Sequence, residues 1–284
     1  MAVQQQIVQE LEGWKVLDRL ARPLAKAAAR ATRPTVVKNA LSGTWLGHPL
    51  HPMLTDVPIG SWVAAALLDL LGGPSGKRAA RRLVGLGVLA AAPTAVAGWS
   101  DWSDTYGPEQ RVGVAHALGN LSAILLHSAS YLARRRGHNG RGRLLSLAGL
   151  GAMGGAAYLG GHLSYVRGVG INHTAFEQAV EEWTDVAALV DLTPEKPTRG
   201  VASGVAVVLV RQGEDVHALS ATCVHAGGPL DEGELVEGRL RCPWHGSIFE
   251  LTDGSVVRGP AATPQPCWEA RIEDGRVQVR SAAR

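Results

Sequence analysis

The chain has 284 residues, room for one or two domains, and its 28 Lys and Arg against 25 Asp and Glu leave a net charge of +3. Its basic residues gather in short runs between apolar segments instead of covering one polar face, which points to anionic lipid and membrane topology and argues against nucleic acid as a partner. Three cysteines, Cys223, Cys242 and Cys267, are too few for a disulfide framework.

In chain order, residues 1–45 read as an amphipathic helical segment. Ile7, Leu11, Trp14, Leu17, Leu20 and Leu24 recur at three- and four-residue steps beside a basic stripe of Arg19, Arg22, Lys26 and Arg30. That pattern fits a helix on a membrane surface and a helix packed on its own protein equally well. Glu10, Glu12 and Asp18 interrupt the first ~25 residues, so a cleavable signal peptide is not expected.

Residues 46–170 read as a four-span transmembrane domain. Four apolar runs, 53–71, 83–99, 113–133 and 144–166, have about the length needed to cross ~30 Å of hydrocarbon. Asp69, Asn120 and His127 interrupt them, and Gly151 and Gly155 stand in a spacing that permits close helix contact in lipid. Lys77, Arg78, Arg81 and Arg82 follow the first run, and Arg134, Arg135, Arg136, Arg141 and Arg143 follow the third. The segment between the second and third runs holds Asp101, Asp104 and Glu109 against Arg111. The positive-inside rule then makes the basic loops cytoplasmic and leaves both chain ends outside, although the basic N-terminal stripe argues the reverse.

After a linker over 171–184, residues 185–284 change character. Val-rich alternating runs such as "GVAVVLVR", "DVHALS" and "RVQVR" are punctuated by "QGED", "TDGS" and "EDG", which predicts a small β domain of strands and tight turns. Within it stand Cys223 and His225 as C-x-H and, after sixteen residues, Cys242 and His245 as C-x-x-H. Thiolate and imidazole suit zinc and iron-sulfur alike, so the ligand set alone does not choose the metal. Each half offers one sulfur and one nitrogen, which lets two Cys hold one iron and two His another, whereas zinc hairpins favour C-x-x-C or H-x-x-x-H within one knuckle.

"CVHAGG", "CPWHGSIF" and "GPAATP" together resemble the Rieske [2Fe-2S] domain, over about residues 186–279. The resemblance implies a β fold in which two loops clamp a [2Fe-2S] cluster and a Pro-rich third loop covers it. Cys223 and Cys242 would bind the inner iron, and His225 and His245 the solvent-facing one. Members from respiratory and photosynthetic complexes carry a disulfide between the two cluster loops; Gly228 and Trp244 occupy those positions here. In this respect the domain is similar to the ferredoxin and oxygenase branch, whose clusters sit at lower potential. Ser247 matches a serine whose hydroxyl bonds a cluster sulfide and raises the potential, or else it is an ordinary turn serine bonding a backbone amide, and Phe249 stands at the neighbouring Tyr position. The expected potential is intermediate within the Rieske window of about −150 to +300 mV. Cys267 reads as a small buried hydrophobe.

The membrane half also resembles a widespread bacterial membrane domain of unknown function that opens with "HPxHP", here His48 to Pro52. His48, His51 and Asp56 at the entrance of the first span, Asp101, His116 and His162 all fall on the same membrane face once the spans run antiparallel. Such a cluster could bind haem b by paired His, hold a quinone head group or relay protons; interfacial polar caps are the plainer role. His127 lies deeper, where packing is expected.

The fold class is therefore multi-domain α plus β, an N-terminal four-helix transmembrane bundle followed by a small all-β Rieske domain. The expected function is a membrane-anchored carrier of single electrons, serving a redox partner protein or a quinone. A channel, transporter or sensor with a redox-reporting domain is the alternative. The ~35 residues after Phe249 cannot house a mononuclear iron oxygenase domain. Oligomeric state is not fixed by sequence.

Overall fold

A computed structural model describes residues 3–282. The chain divides into two compact units, Met1–Thr32 with Leu50–Val169, and Arg33–Pro49 with Gly170–Arg284. Residues 33–49 thus belong to the second unit, not to an N-terminal segment running to residue 45. Among the described residues seven α-helices occur in chain order: α1 (Val3–Gly13), α2 (Asp18–Ala31), α3 (Thr35–Ser42), α4 (Leu50–Leu71), α5 (Gly73–Trp102), α6 (Gly107–Arg135) and α7 (Asn139–Tyr165). All but α3 lie in the first unit.

Helices α4 to α7 are long and apolar enough to cross a membrane. They outrun the apolar runs at their ends. Lys77, Arg78, Arg81 and Arg82 sit within the first turns of α5 and not in a loop, and only residues 136–138 separate α6 from α7. A 30-residue helix such as α5 rises ~45 Å, which carries its charged turn past the hydrocarbon into the headgroup layer. Outward Leu67, Leu70, Leu89, Leu118 and Leu125 are exposed, as lipid-facing side chains would be.

A recurrent device of close packing inside this unit is an aromatic or imidazole ring seated on a glycine of a neighbouring helix. His51 and Trp62 of α4 lie over Gly98 and Gly87 of α5. Trp102 of α5 lies over Gly113 of α6, and Tyr131 of α6 over Gly85 of α5. His116 and His127 of α6 lie over Gly160 and Gly149 of α7. A Cβ at any of these glycines would stand 2.2–3.0 Å from a ring atom, so only glycine permits the approach. Gly151 and Gly155 do not take part: a Cβ on either would meet open space, so the G-x-x-x-G pair faces outward.

The N-terminal pattern splits its two roles between faces. Helices α1 and α2, joined by a 3-10 turn at Lys15–Leu17, bury Val8, Ala21, Ala25 and Ala28, while Ile7, Trp14, Leu20 and Leu24 stay exposed. Arg111 of α6 anchors them, donating from Nε to Asp18 Oδ1 at 2.7 Å and from Nη1 to the Glu12 carbonyl at 2.6 Å. The large residues expected to drive packing are outside because small alanines allow α2 to approach closely.

The second unit is β-rich. Strands β1 (Thr184–Ala188), β2 (Thr198–Ala202), β3 (Val205–Gln212), β4 (Asp215–Ser220), β9 (Cys267–Glu273) and β10 (Arg276–Ser281) form an antiparallel sheet in the order β1-β10-β9-β4-β3-β2. It is nearly closed, with Gly200 of β2 against the Val186 side chain of β1. Strands β5 (Glu234–Val236), β6 (Arg239–Arg241), β7 (Ile248–Phe249) and β8 (Val256–Arg258) form a second, smaller sheet. Strand β3 is buried on both faces because alternate residues serve two cores. Val207 and Leu209 face Trp268, Val277 and Val279, whereas Val208 and Val210 face Leu219, Leu240 and Phe249. The second of these cores also contains Cys223 and Cys242, so the smaller sheet and the loops it carries rest directly on it.

Candidate metal centre

Two loops of the second unit repeat one backbone design. After β4, the Cys223 N–H bonds the Gly228 carbonyl at 2.8 Å and the Gly227 N–H returns to the Cys223 carbonyl at 2.9 Å. Between β6 and β7, the Cys242 N–H bonds the Ser247 carbonyl at 2.8 Å and the Gly246 N–H returns to the Cys242 carbonyl at 3.1 Å. Each knuckle places a glycine four residues after its cysteine, with φ of 75° at Gly227 and 71° at Gly246, a left-handed conformation that glycine adopts without strain.

The knuckles bring four donors together. Cys223 and Cys242 are buried and no disulfide joins them. The His225 and His245 rings, half-buried, lie with centroids 5.0 Å apart, edge to face. Backbone N–H groups of His225 and Ala226 face the Cys223 sulfur, and those of Trp244 and His245 face the Cys242 sulfur. The hydrogen bond from the Cys223 thiol lowers the Cys242 thiol to about 6, against the opposing effect of burial, and that same bond, with burial, raises Cys223. Burial foremost, then His245, Lys38 and His173, pushes His225 down to about 3, so its imidazole is neutral at pH 7 and its lone pair is available. Sulfurs faced by backbone N–H groups, with two imidazoles beside them, are a donor set that fits a soft, anionic iron-sulfur cluster. Among the described residues no three His, Cys, Asp or Glu side chains converge on a single ion; a binuclear cluster takes its protein donors two per iron.

A third loop, following β8, ties the knuckles together. Ser247, buried, accepts the Ala261 N–H at 3.0 Å, which leaves its own hydroxyl proton to donate elsewhere. Gln265, buried, donates to the Ser220 and Thr222 carbonyls at 2.8 and 2.7 Å and accepts the Val224 N–H at 3.0 Å. The sequence reading missed Gln265, since a single Gln between prolines carries no motif. Cys267 is half-buried at the margin of this core, its thiol 3.4 Å from the Thr252 carbonyl.

A profile described as "Rieske [2Fe-2S] domain" matches residues 182–269, and one described as "Predicted membrane protein (DUF2231)" matches residues 47–173. "Ferredoxin CarAc" of Metapseudomonas resinovorans is 32% identical over 98 residues, 34% of this chain and 92% of that protein. The chain belongs to the Rieske [2Fe-2S] family. Human "Apoptosis-inducing factor 3" is 38% identical over 76 residues, 27% of this chain but 13% of that protein, so the chain spans only a small part of that relative. Among solved structures, the ferredoxin of carbazole 1,9a-dioxygenase from Nocardioides aromaticivorans IC177 is 29% identical, covering 36% of this chain and all of that one, with a TM-score of 0.35. The Rieske domain implies a [2Fe-2S] cluster as cofactor, and its relatives are electron-transfer proteins.

Outside the Rieske domain, the histidines of the first unit are engaged with their own protein. His51 is bonded through Nδ1 to the Thr94 carbonyl at 3.0 Å. His116 has both ring nitrogens engaged, by the Ala156 carbonyl at 2.7 Å and Asn120 at 3.0 Å. His162 Nε2 is 3.0 Å from Glu12 Oε1. Asp101 is half-buried and Asp56 exposed. His48 belongs to the second unit, exposed, with Nδ1 on the Pro49 carbonyl. Nε2 is engaged in His116 and His162, whereas in His48 and His51 the bonded ring nitrogen is Nδ1. His127 stacks on Trp62 at 4.0 Å and is fully buried, a packing role.

Proposed function

We propose that the protein is a membrane-anchored carrier of single electrons in which Cys223 and Cys242 hold one iron of a [2Fe-2S] cluster and His225 and His245 hold the other. The observation that carries this reading is the pair of equivalent knuckles, which set two buried sulfurs behind two half-buried imidazoles. When bound, the cluster supplies reversible one-electron chemistry.

The chain's own residues do the rest. Buried sulfurs exclude water from the inner side, and the imidazole edge is the shortest route for electrons to a docked partner. Ser247 holds the third loop through Ala261 and has a hydroxyl proton to give to a cluster sulfide, which would favour the reduced form. With Gly228 and Trp244 in place of a disulfide, the potential falls below the upper end of the Rieske window.

The four apolar helices confine this carrier to the bilayer, where the electron partners of suitable reach are a quinone or a haem protein. The basic residues at the α4–α5 and α6–α7 ends support a cytoplasmic position for those ends by the positive-inside rule, with residues before α4 and after α7 opposite, although the basic stripe of α2 argues the reverse. The likeness over 92% of the length of "Ferredoxin CarAc" supports carriage of electrons rather than a complete enzyme.

Proteoliposomes holding the full chain test this reading. Addition of a lipid-soluble quinol or a reduced membrane haem protein should produce the reduced-cluster EPR signal within the bilayer fraction. A cluster that titrates reversibly with small dyes yet ignores every membrane donor would overturn the assignment of partner.

A further inference from the structure

The segment preceding α4 lies outside the residues that match the Rieske profile, yet it reaches the cluster's third loop. Asn39 of α3 donates from Nδ2 to the Val257 carbonyl at 2.9 Å and accepts the Gly259 N–H on Oδ1 at 2.9 Å. Its side-chain amide thus completes the backbone pairing of the loop as another strand would, across 220 residues of sequence. One turn of helix presents a matched face: Lys38 and Ser42, four residues apart, are both buried at 3% and 2% exposure. Ser42 packs on Gly259, where an added Cβ would stand 3.1 Å from its hydroxyl. A Cβ at position 259 would require Ser42 to give by a few tenths of an ångström, so α3 and the third loop are in close contact here.

A buried lysine is costly, and this one stands where a charge has something to act on. It shares the buried face of α3 with Ser42, one turn on, and that face packs on Gly259 of the third loop, the loop expected to cover the cluster. A cluster that accepts one electron becomes more negative, so a fixed positive charge within a low-dielectric site stabilises the reduced form.

We propose that residues 33–49 are an integral part of the electron-transfer domain, with Asn39 as a positioning residue that fixes the third loop and Lys38 as a positioning residue that raises the cluster's reduction potential. The proposal rests on Cys223, His225, Cys242 and His245 being the cluster ligands. It deepens that reading by assigning a potential-setting charge to a helix that the family's own residues do not include.

Full-length protein in detergent, loaded with its cluster, gives the test by EPR-monitored potentiometric titration. Lys38→Met should lower the equilibrium constant for reduction roughly tenfold, a fall of about 59 mV for one electron, and Lys38→Arg should stay close to the parent. Equal potentials in Lys38→Met and the parent would overturn the charge role, as would an equal fall in Lys38→Arg. Asn39→Ala provides a measurement that does not depend on the potential: amide hydrogen exchange at Gly259 should quicken, with earlier bleaching of the cluster in chelator. Unchanged exchange there would overturn the clamp. Absence of any cluster in the parent protein would instead sink the ligand assignment itself, and the two failures are thereby distinct.

Discussion

Gly228 lies against the indole of Trp244, so close that a Cβ at position 228 would stand 3.1 Å from the ring's Cγ and 3.0 Å from Cys242 Sγ. The two loops therefore meet side by side at Gly228 and Trp244, in close van der Waals contact. Gly228→Ala forces either the exposed Trp244 ring or the Cys242 sulfur to move. The expected outcome is a lower iron content per chain and altered EPR g-values, with an overpacking cost of about 1–3 kcal/mol. Iron analysis and the EPR spectrum check it; parental values in both would show that Trp244 alone gives way.

Gln265 is the mechanical link between the third loop and the first knuckle. Gln265→Leu keeps the side chain's bulk but leaves the Val224 N–H and the Ser220 and Thr222 carbonyls without their present partner. At about 1–3 kcal/mol for each buried group left unsatisfied, less what water recovers, a loss of roughly 3 kcal/mol is expected. Denaturant unfolding of the loaded protein, followed by loss of cluster absorbance, measures it. A change under about 0.5 kcal/mol contradicts the role given to Gln265.

In the membrane half, the ion pair between Arg134 and Asp69 is the buried interaction with most to lose. The side chains are 0% and 8% exposed, Nη1 to Oδ1 is 2.8 Å, and Arg134 also bonds Ser130. Asp69 retains Arg143 at 3.5 Å when Arg134 is removed, whereas Arg134 is left with serines alone when Asp69 is removed. Asp69→Leu should therefore destabilise more than Arg134→Leu, by up to about 3–5 kcal/mol, and the double variant less than the sum. Thermal unfolding in detergent decides this, and additive losses would refute the pairing.

Acid should loosen the N-terminal helices. The hydrogen bond from Arg111 foremost holds the Asp18 carboxyl below its ordinary value. A depressed carboxylate contributes stability that is present above its unfolded value and lost as pH falls through the folded one. Amide protection over residues 3–31, taken relative to the intrinsic exchange rate at each pH, should stay high near neutral pH and fall below about pH 4, and in Asp18→Asn it should be low throughout. A parent profile that is flat down to about pH 2 contradicts the anchor.

Legibility of this fold followed the range of the signal. Cys223, His225, Cys242 and His245 could be read because each knuckle is local and ends in a glycine, and the four spans because hydrocarbon imposes length and apolarity on contiguous residues. Helix ends were harder, since Lys77 to Arg82 are charged and still helical. Ring-on-glycine contacts such as His127 with Gly149 leave no periodic trace, and the apparent G-x-x-x-G pair at Gly151 and Gly155 points away from them. Least legible was α3: nothing in "TVVKNALS" announces a hydrogen bond to Val257, 218 residues on.

The central claim is the cluster with two Cys and two His ligands. Iron, zinc and acid-labile sulfide analysis of the purified full-length protein, combined with EPR after reduction, tests it in one preparation. Two irons and two sulfides per chain, with a Rieske-type signal that disappears in His225→Ala, are the predicted result. A stoichiometric zinc ion with no sulfide, or a signal indifferent to His225, would contradict it.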